Sequence, residues 1–290
     1  MGVVLTLSCY LVAFSPAFAL FCRFVAPDPL RTILFVLGAF LWLVALLLSS
    51  LLHLLFGLFW SNLYYIVAVS ILIQEGSKIA YFVILKKAQH GLNTMVKNGG
   101  GIAGISDLHN ARHMMALVCG LGQGVISALF ATMNIFATFA GPYSLGLPQA
   151  LQTGTTDVNP AGQYLPLYYA LSGQLLALLH VTWTIMIWDT CHRYCQGGKA
   201  YIPATAAVLS HFAVSGLSTM NASGWQPVVI PAQYAILLMC LVYCHYIIGG
   251  TAKSFGSGVT AAFRDWFTLA WCRKQCTRRN NTPVEQEHQE

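Results

Sequence analysis

Charge is what this chain has least of. Only 8% of its 290 residues are Asp, Glu, Lys or Arg, against 57% hydrophobic, and the mean hydropathy is +0.63. Ordinary soluble domains carry about 25% charged residues, so this composition excludes a water-exposed globular surface and leaves a polytopic membrane protein. Basic residues are also absent where a cleaved secretory signal would need them. None precedes the first apolar run, and the first one, Arg23, follows it, although Ala17-Phe18-Ala19 resembles a signal-peptidase site. That order keeps positive charge on the cytoplasmic side and sends the N-terminus out.

What is there is a series of apolar runs. Crossing about 30 Å of hydrocarbon takes about 20 mostly apolar residues. The expected fold is an all-α membrane protein with seven spans, near 3–24, 32–55, 63–85, 114–134, 164–188, 201–220 and 231–250. Residues 1–252 form one membrane domain, and 253–290 a cytosolic basic and aromatic tail. Pro27-Asp28-Pro29 closes the first turn, and Pro203 and Pro231 are expected in first helical turns, where a missing N–H costs little. Asn98-Gly99-Gly100-Gly101 reads as a flexible link. Residues 143–163 form a long polar lumenal segment, rich in Gly, Pro and Thr.

Orientation follows from the same scarcity. With the N-terminus lumenal and the C-terminus cytosolic, the fifteen Lys and Arg fall in cytoplasmic segments or within the spans, and the outer loops hold none. The lumenal loops also lack cysteine, so no structural disulfide is expected. Cys191 with Cys195 and Cys272 with Cys276 stand at the cytoplasmic edge, open to palmitoylation or to remaining plain thiols. The sequon Asn221-Ala222-Ser223 faces the lumen but abuts the sixth span. The stretch from Ser254 to Trp271, with Phe255, Phe263, Trp266 and Arg264, suits the inner leaflet surface and anionic lipid.

Two features concern function. In the fourth span every fourth residue is small: Ala116, Gly120, Gly124, Ala128 and Thr132. Residues four apart share a helix face, and small ones let a second backbone approach, the main route to helix association where lipid removes the hydrophobic drive. The strip is read as a docking surface for other membrane subunits. The second feature is a set of ionisable residues inside spans, costly unless partnered. Glu75 lies roughly 16 Å from the cytoplasmic edge at 1.5 Å per residue. Lys78, one turn on, is placed for an ion pair, and Gln74 adds an amide. His180 and His211 flank Gln196 at nearly equal separations and arrive at matching depth near Glu75.

The two histidines admit a structural polar network, a proton relay or a metal. His245 and His53 are available to complete a metal set. A seven-helix zinc hydrolase of the ceramidase or progestin-receptor-like kind, using His180, His211 and His245, is therefore one alternative. It lacks His-Glu-x-x-His, a second carboxylate at this depth and an obvious nucleophile. A G-protein-coupled receptor shares the topology, but Asp-Arg-Tyr, Asn-Pro-x-x-Tyr and an extracellular cysteine pair are missing.

Several motifs together carry a resemblance. Val12-Ala13-Phe14-Ser15-Pro16-Ala17-Phe18-Ala19-Leu20, Asp28-Pro29-Leu30-Arg31 and Gly38-Ala39-Phe40-Leu41-Trp42-Leu43-Val44 are similar to the first helices of the anterior pharynx-defective family. Gln74-Glu75, Ala80-Tyr81, Leu85-Lys86-Lys87-Ala88, Gly120-Leu121 through Ser127, Leu178-Leu179-His180 and Ser210-His211 continue the match across all seven spans. The family is the scaffold subunit of γ-secretase. The resemblance implies a non-catalytic role without a cofactor, metal or nucleic acid, and partners nicastrin, presenilin and the presenilin enhancer subunit. It also implies work on single-span substrates such as Notch and the amyloid precursor protein. The complex would be met in the endoplasmic reticulum, Golgi, plasma membrane and endosomes. Carried over, the assembly positions are Gly120 and Gly124, with Ala128 where the family has a third glycine and Ala116 on the same face. The polar interior is Gln74, Glu75, Lys78, His180 and His211, with Lys78 in place of the common Arg.

Overall fold

The computed structural model describes residues 2–56, 63–97, 112–140, 164–198, 201–251 and, beyond them, 253–254, 256–258 and 260. The chain divides into two units, 1–244 and 245–290. Among the described residues there are seven α-helices: α1 Gly2–Leu20, α2 Pro29–Phe56, α3 Leu63–Lys97, α4 Arg112–Ala140, α5 Leu165–Cys195, α6 Ile202–Thr219 and α7 Gln226–Ile247. Each corresponds to one expected run, with α2 and α4 extended at both ends and α3 and α5 extended at their C-terminal ends. The Gly-rich link at 98–101, the segment 143–163 expected on the lumenal side, and the tail beyond 260, with Cys272 and Cys276, lie outside the described residues.

Six of these helices are long and apolar enough to cross a membrane: Val4–Val25, Pro29–Leu55, Tyr64–Ala88, Arg112–Met133, Pro166–Cys195 and Gln226–Ile247. The expectation of seven is thus met for six. The sixth run, α6, has 18 residues, and Thr205, Ser210, His211, Ser215 and Ser218 lower its hydropathy. The placement of Pro231 also needs correction. Helix α7 begins five residues before the expected start, so Pro231 lies inside the helix and Pro227 occupies the first turn.

α1 passes into one π-helical turn, Phe21–Val25. The chain then reverses: Asp28 N–H donates to Val25 O (3.1 Å), and the Asp28 carboxylate accepts from Leu30 N (3.0 Å). Arg31 donates to Phe24 O (3.1 Å) and pairs with Asp28 at 3.2 Å. Carbonyls left over by the irregular turn are satisfied in this way before the chain re-enters a helix.

The core is built around α5. Every residue from His180 to Thr190 is buried, so this helix is enclosed on all sides, as a helix apolar all round should be. It packs against α1, α3, α4 and α6, and α4 is in turn held between α5 and α2. α1 reaches the core through a strip of small side chains, with Cys9, Ala13 and Ala17 buried. Tyr10 meets Phe136 edge-on at 4.8 Å, and Thr6 donates to Phe136 O at 3.2 Å. The outward faces of α1, α2, α3 and α7 carry exposed Leu, Val, Ile and Phe, a surface suited to lipid.

Candidate functional site

Close approach of backbones comes first, because it fixes where the polar side chains sit. At Gly120 a methyl group would fall 2.8 Å from Val181 Cα and 2.9 Å from both His180 O and Thr184 Cβ. At Gly124 it would overlap the Ala177 carbonyl. Glycine is required at both positions by backbone contact. The same antiparallel pair closes further along, where Gly173 of α5 faces Thr132 of α4. Ala116, Ala128 and Thr132 are buried as well.

The small-residue strip is therefore occupied by α5 of this same chain. The expectation that it docks other subunits is corrected accordingly, since a strip packed backbone to backbone inside the fold has no room for an outside helix. The periodicity identified a packing face but carried no information about which helix would cover it. A second seam escaped the sequence reading. Gly122, on another side of α4, meets the Phe35 carbonyl of α2, and a methyl at Gly38 would lie 2.6 Å from Cys119 O. Its signal was present as glycines two residues out of register with Gly120 and Gly124.

On α5, the residues that receive Gly120 are next to those that bear the polar cluster. Glu75 Oε1 of α3 accepts from Lys78 Nζ at 2.5 Å and lies 2.5 Å from His211 Nδ1 of α6. An ionised carboxylate only accepts, so His211 carries its proton on Nδ1. Lys78 is fully buried, and Glu75 and His211 are nearly so. A buried ion pair survives only with added partners, and here these are aromatic. The Trp183 ring stacks on His211 with centroids 3.9 Å apart, and Lys78 Nζ lies 5.2 Å from its centre. The Trp183 indole N–H donates to Ser210 Oγ at 2.9 Å.

His180 joins this cluster through ring contacts, edge-on to Trp183 at 5.3 Å and to His211 at 5.9 Å. The matched depth of the two histidines and their nearness to Glu75 are as the spacing implied. The buried His180 Nδ1 has no hydrogen-bond partner among the described residues. Gln74 is half-buried, and its carbonyl accepts from Ser77 at 2.7 Å. Two bonds tie the cluster to neighbouring helices: Trp188 Nε1 donates to Lys78 O at 3.0 Å, and Tyr81 Oη donates to Leu34 O at 2.7 Å. Trp183, Trp188 and Tyr81 were missed as cluster members because aromatic residues in an apolar run give no signal of their own.

The metal alternative finds no donor set. Among the described residues no group of three or more His, Cys, Asp or Glu side chains is placed to hold a metal ion. His53 is exposed on the last turn of α2. His245 belongs to the second unit, where its Nε2 lies 3.0 Å from Ser254 Oγ and 3.2 Å from Thr251 O. The cluster is a buried charge pair flanked by two imidazole rings and braced by indole rings, and it joins α3, α5 and α6.

Comparison with known proteins shows the family. The chain is 51% identical over 294 aligned positions to a Caenorhabditis elegans protein named gamma-secretase subunit aph-1, covering 98% of this chain and 96% of that one. It is 31% identical over 252 positions to the Drosophila melanogaster gamma-secretase subunit Aph-1, covering 87% and 96% respectively. The Homo sapiens gamma-secretase subunit APH-1B is 30% identical over 255 positions, covering 85% and 89%. The family model described as Aph-1 protein matches residues 4–251, which takes in α1 from Val4 onward, α2 to α7, both glycine seams and the whole polar cluster, and so the chain belongs to the Aph-1 family.

Proposed function

We propose that this chain is the non-catalytic scaffold subunit of a γ-secretase complex. The observation that carries this reading is the near full-length match to proteins named as gamma-secretase subunits. The interior supports it, because the buried polar groups hold helices together. In this role the chain holds presenilin, which supplies the catalytic aspartates, together with nicastrin and the presenilin enhancer subunit. Its substrates are met through presenilin and include single-span proteins such as Notch and the amyloid precursor protein.

The reading includes seven spans, with α6 as the seventh, N-terminus lumenal and C-terminus cytosolic. The support is that none of the fifteen Lys and Arg falls in a lumenal segment in that topology. The complex then matures through the endoplasmic reticulum and Golgi to the plasma membrane and endosomes. Gly120, Gly124, Ala116 and Ala128 serve assembly from inside the fold: they set the distance between α4 and α5, and partners bind surfaces whose spacing depends on it. Glu75, Lys78, His180, His211 and Gln74 fix α3 and α6 against that pair.

The experiment is affinity purification of the tagged chain from its native membranes in mild detergent, with identification of the bound proteins. Recovery of presenilin and nicastrin in constant ratio to the tagged chain is the expected result. Purification without them, or hydrolysis of a peptide or lipid by the isolated chain, would overturn the reading.

A further inference from the structure

The N-terminal end of α4 and the C-terminal end of α5 meet through a cluster that the scaffold role leaves unused. Arg112 donates from its Nη1 to His192 Nε2 at 2.8 Å and from its Nε to His113 Nε2 at 3.1 Å. Gln196 Nε2 also lies 3.1 Å from His192 Nε2. A guanidinium has only donors and stays charged, and an amide nitrogen likewise only donates. Both imidazoles must therefore accept at Nε2, which requires each to be neutral there.

We propose that Arg112 and His192 form a proton-sensitive latch between α4 and α5, closed when His192 is neutral and opened when it is protonated. Protonation places an N–H on Nε2 against two donors. It removes both bonds at once and sets two cations side by side. His192 is only half-buried and Arg112 is exposed, so protons have access. Among the described residues, charged and titratable groups flank it on both helices. α4 supplies Arg112 and His113, and α5 itself supplies Asp189, Arg193 and Tyr194. Asp189 is engaged by Arg193 at 2.7 Å. Tyr201, before α6, lies against Tyr194, and Lys78 of α3 is held by Glu75. Opening frees the last turn of α5, whose closing bonds are Gly197 N to Tyr194 O (3.0 Å) and Gly198 N to Arg193 O (2.9 Å), around Gly197 at φ +83°.

Hydrogen exchange of the full chain in lipid nanodiscs, read by mass spectrometry and corrected for intrinsic rate, tests this. Peptides covering 190–198 should exchange about tenfold faster at pH 5.5 than at 7.5. His192→Gln and His192→Asn, whose amide oxygens accept from Arg112 at either pH, should abolish the difference, and Arg112→Leu should exchange fast at both. His113→Gln should keep the response. A flat wild-type profile, or a pH response retained in His192→Gln or His192→Asn, would overturn the proposal.

Discussion

Replacing Gly124 or Gly120 by alanine is the sharpest test of how the two central helices are joined. The added methyl at Gly120 would stand 2.8–2.9 Å from three atoms of α5, two of them backbone. Ordinary carbon contacts begin near 3.5 Å, so relief requires the helices to part by roughly 0.5–1 Å. At Gly124 the obstacle is the Ala177 carbonyl, which no rotamer change can move. Overpacking of this kind costs about 1–3 kcal/mol, whereas Gly→Ala inside a helix gains up to about 1 kcal/mol. A matched control separates the two effects, because a methyl at Gly76 of α3 would meet nothing within 4 Å. Thermal unfolding of the purified chain in mild detergent, followed by tryptophan fluorescence, is the assay. At about 2–4 °C per kcal/mol for a protein of this size, Gly120→Ala and Gly124→Ala should melt several degrees below Gly76→Ala, with Gly124→Leu lower still. The whole account of the seam fails if all three alanine variants melt together.

Lys78→Met alone leaves Glu75 ionised and buried without its cation, and should cost about 3–5 kcal/mol; the double variant Glu75→Gln/Lys78→Met should recover most of that in the same melting assay. Trp183→Phe keeps the ring against His211 but drops the bond to Ser210, for a loss of about 1 kcal/mol. Trp183→Ala empties the largest buried side chain of the cluster and should cost about 3–5 kcal/mol, visible as aggregation on gel filtration. In co-purification from membranes, Gly124→Leu should lower recovery of presenilin and nicastrin while insertion, read from accessibility of terminal tags, is unchanged. Full recovery of both would show that the spacing of α4 and α5 does not govern assembly.

The sequence carried the helices and much of the cluster, and the reason is physical. Hydrocarbon length constrains apolar runs, and a buried charge such as Glu75 must declare a partner within one turn, which Lys78 does. Depth is also legible, since a hairpin of helices converts equal separations from Gln196 into equal heights for His180 and His211. Contact partners were not legible, because a face of small residues is the same strip of letters whether its own chain or another subunit covers it. That difference changes how the assembly glycines act. Gly120 touches the His180 carbonyl, and three residues on in α5 Trp183 supports both Lys78 and His211. A substitution in the seam therefore displaces the helix that braces the charge pair. The glycines and the polar residues, which looked like two separate features, then behave as one mechanical unit. The prediction that follows is non-additivity: combining Gly120→Ala with Trp183→Phe should change the melting temperature by less than the two single effects together.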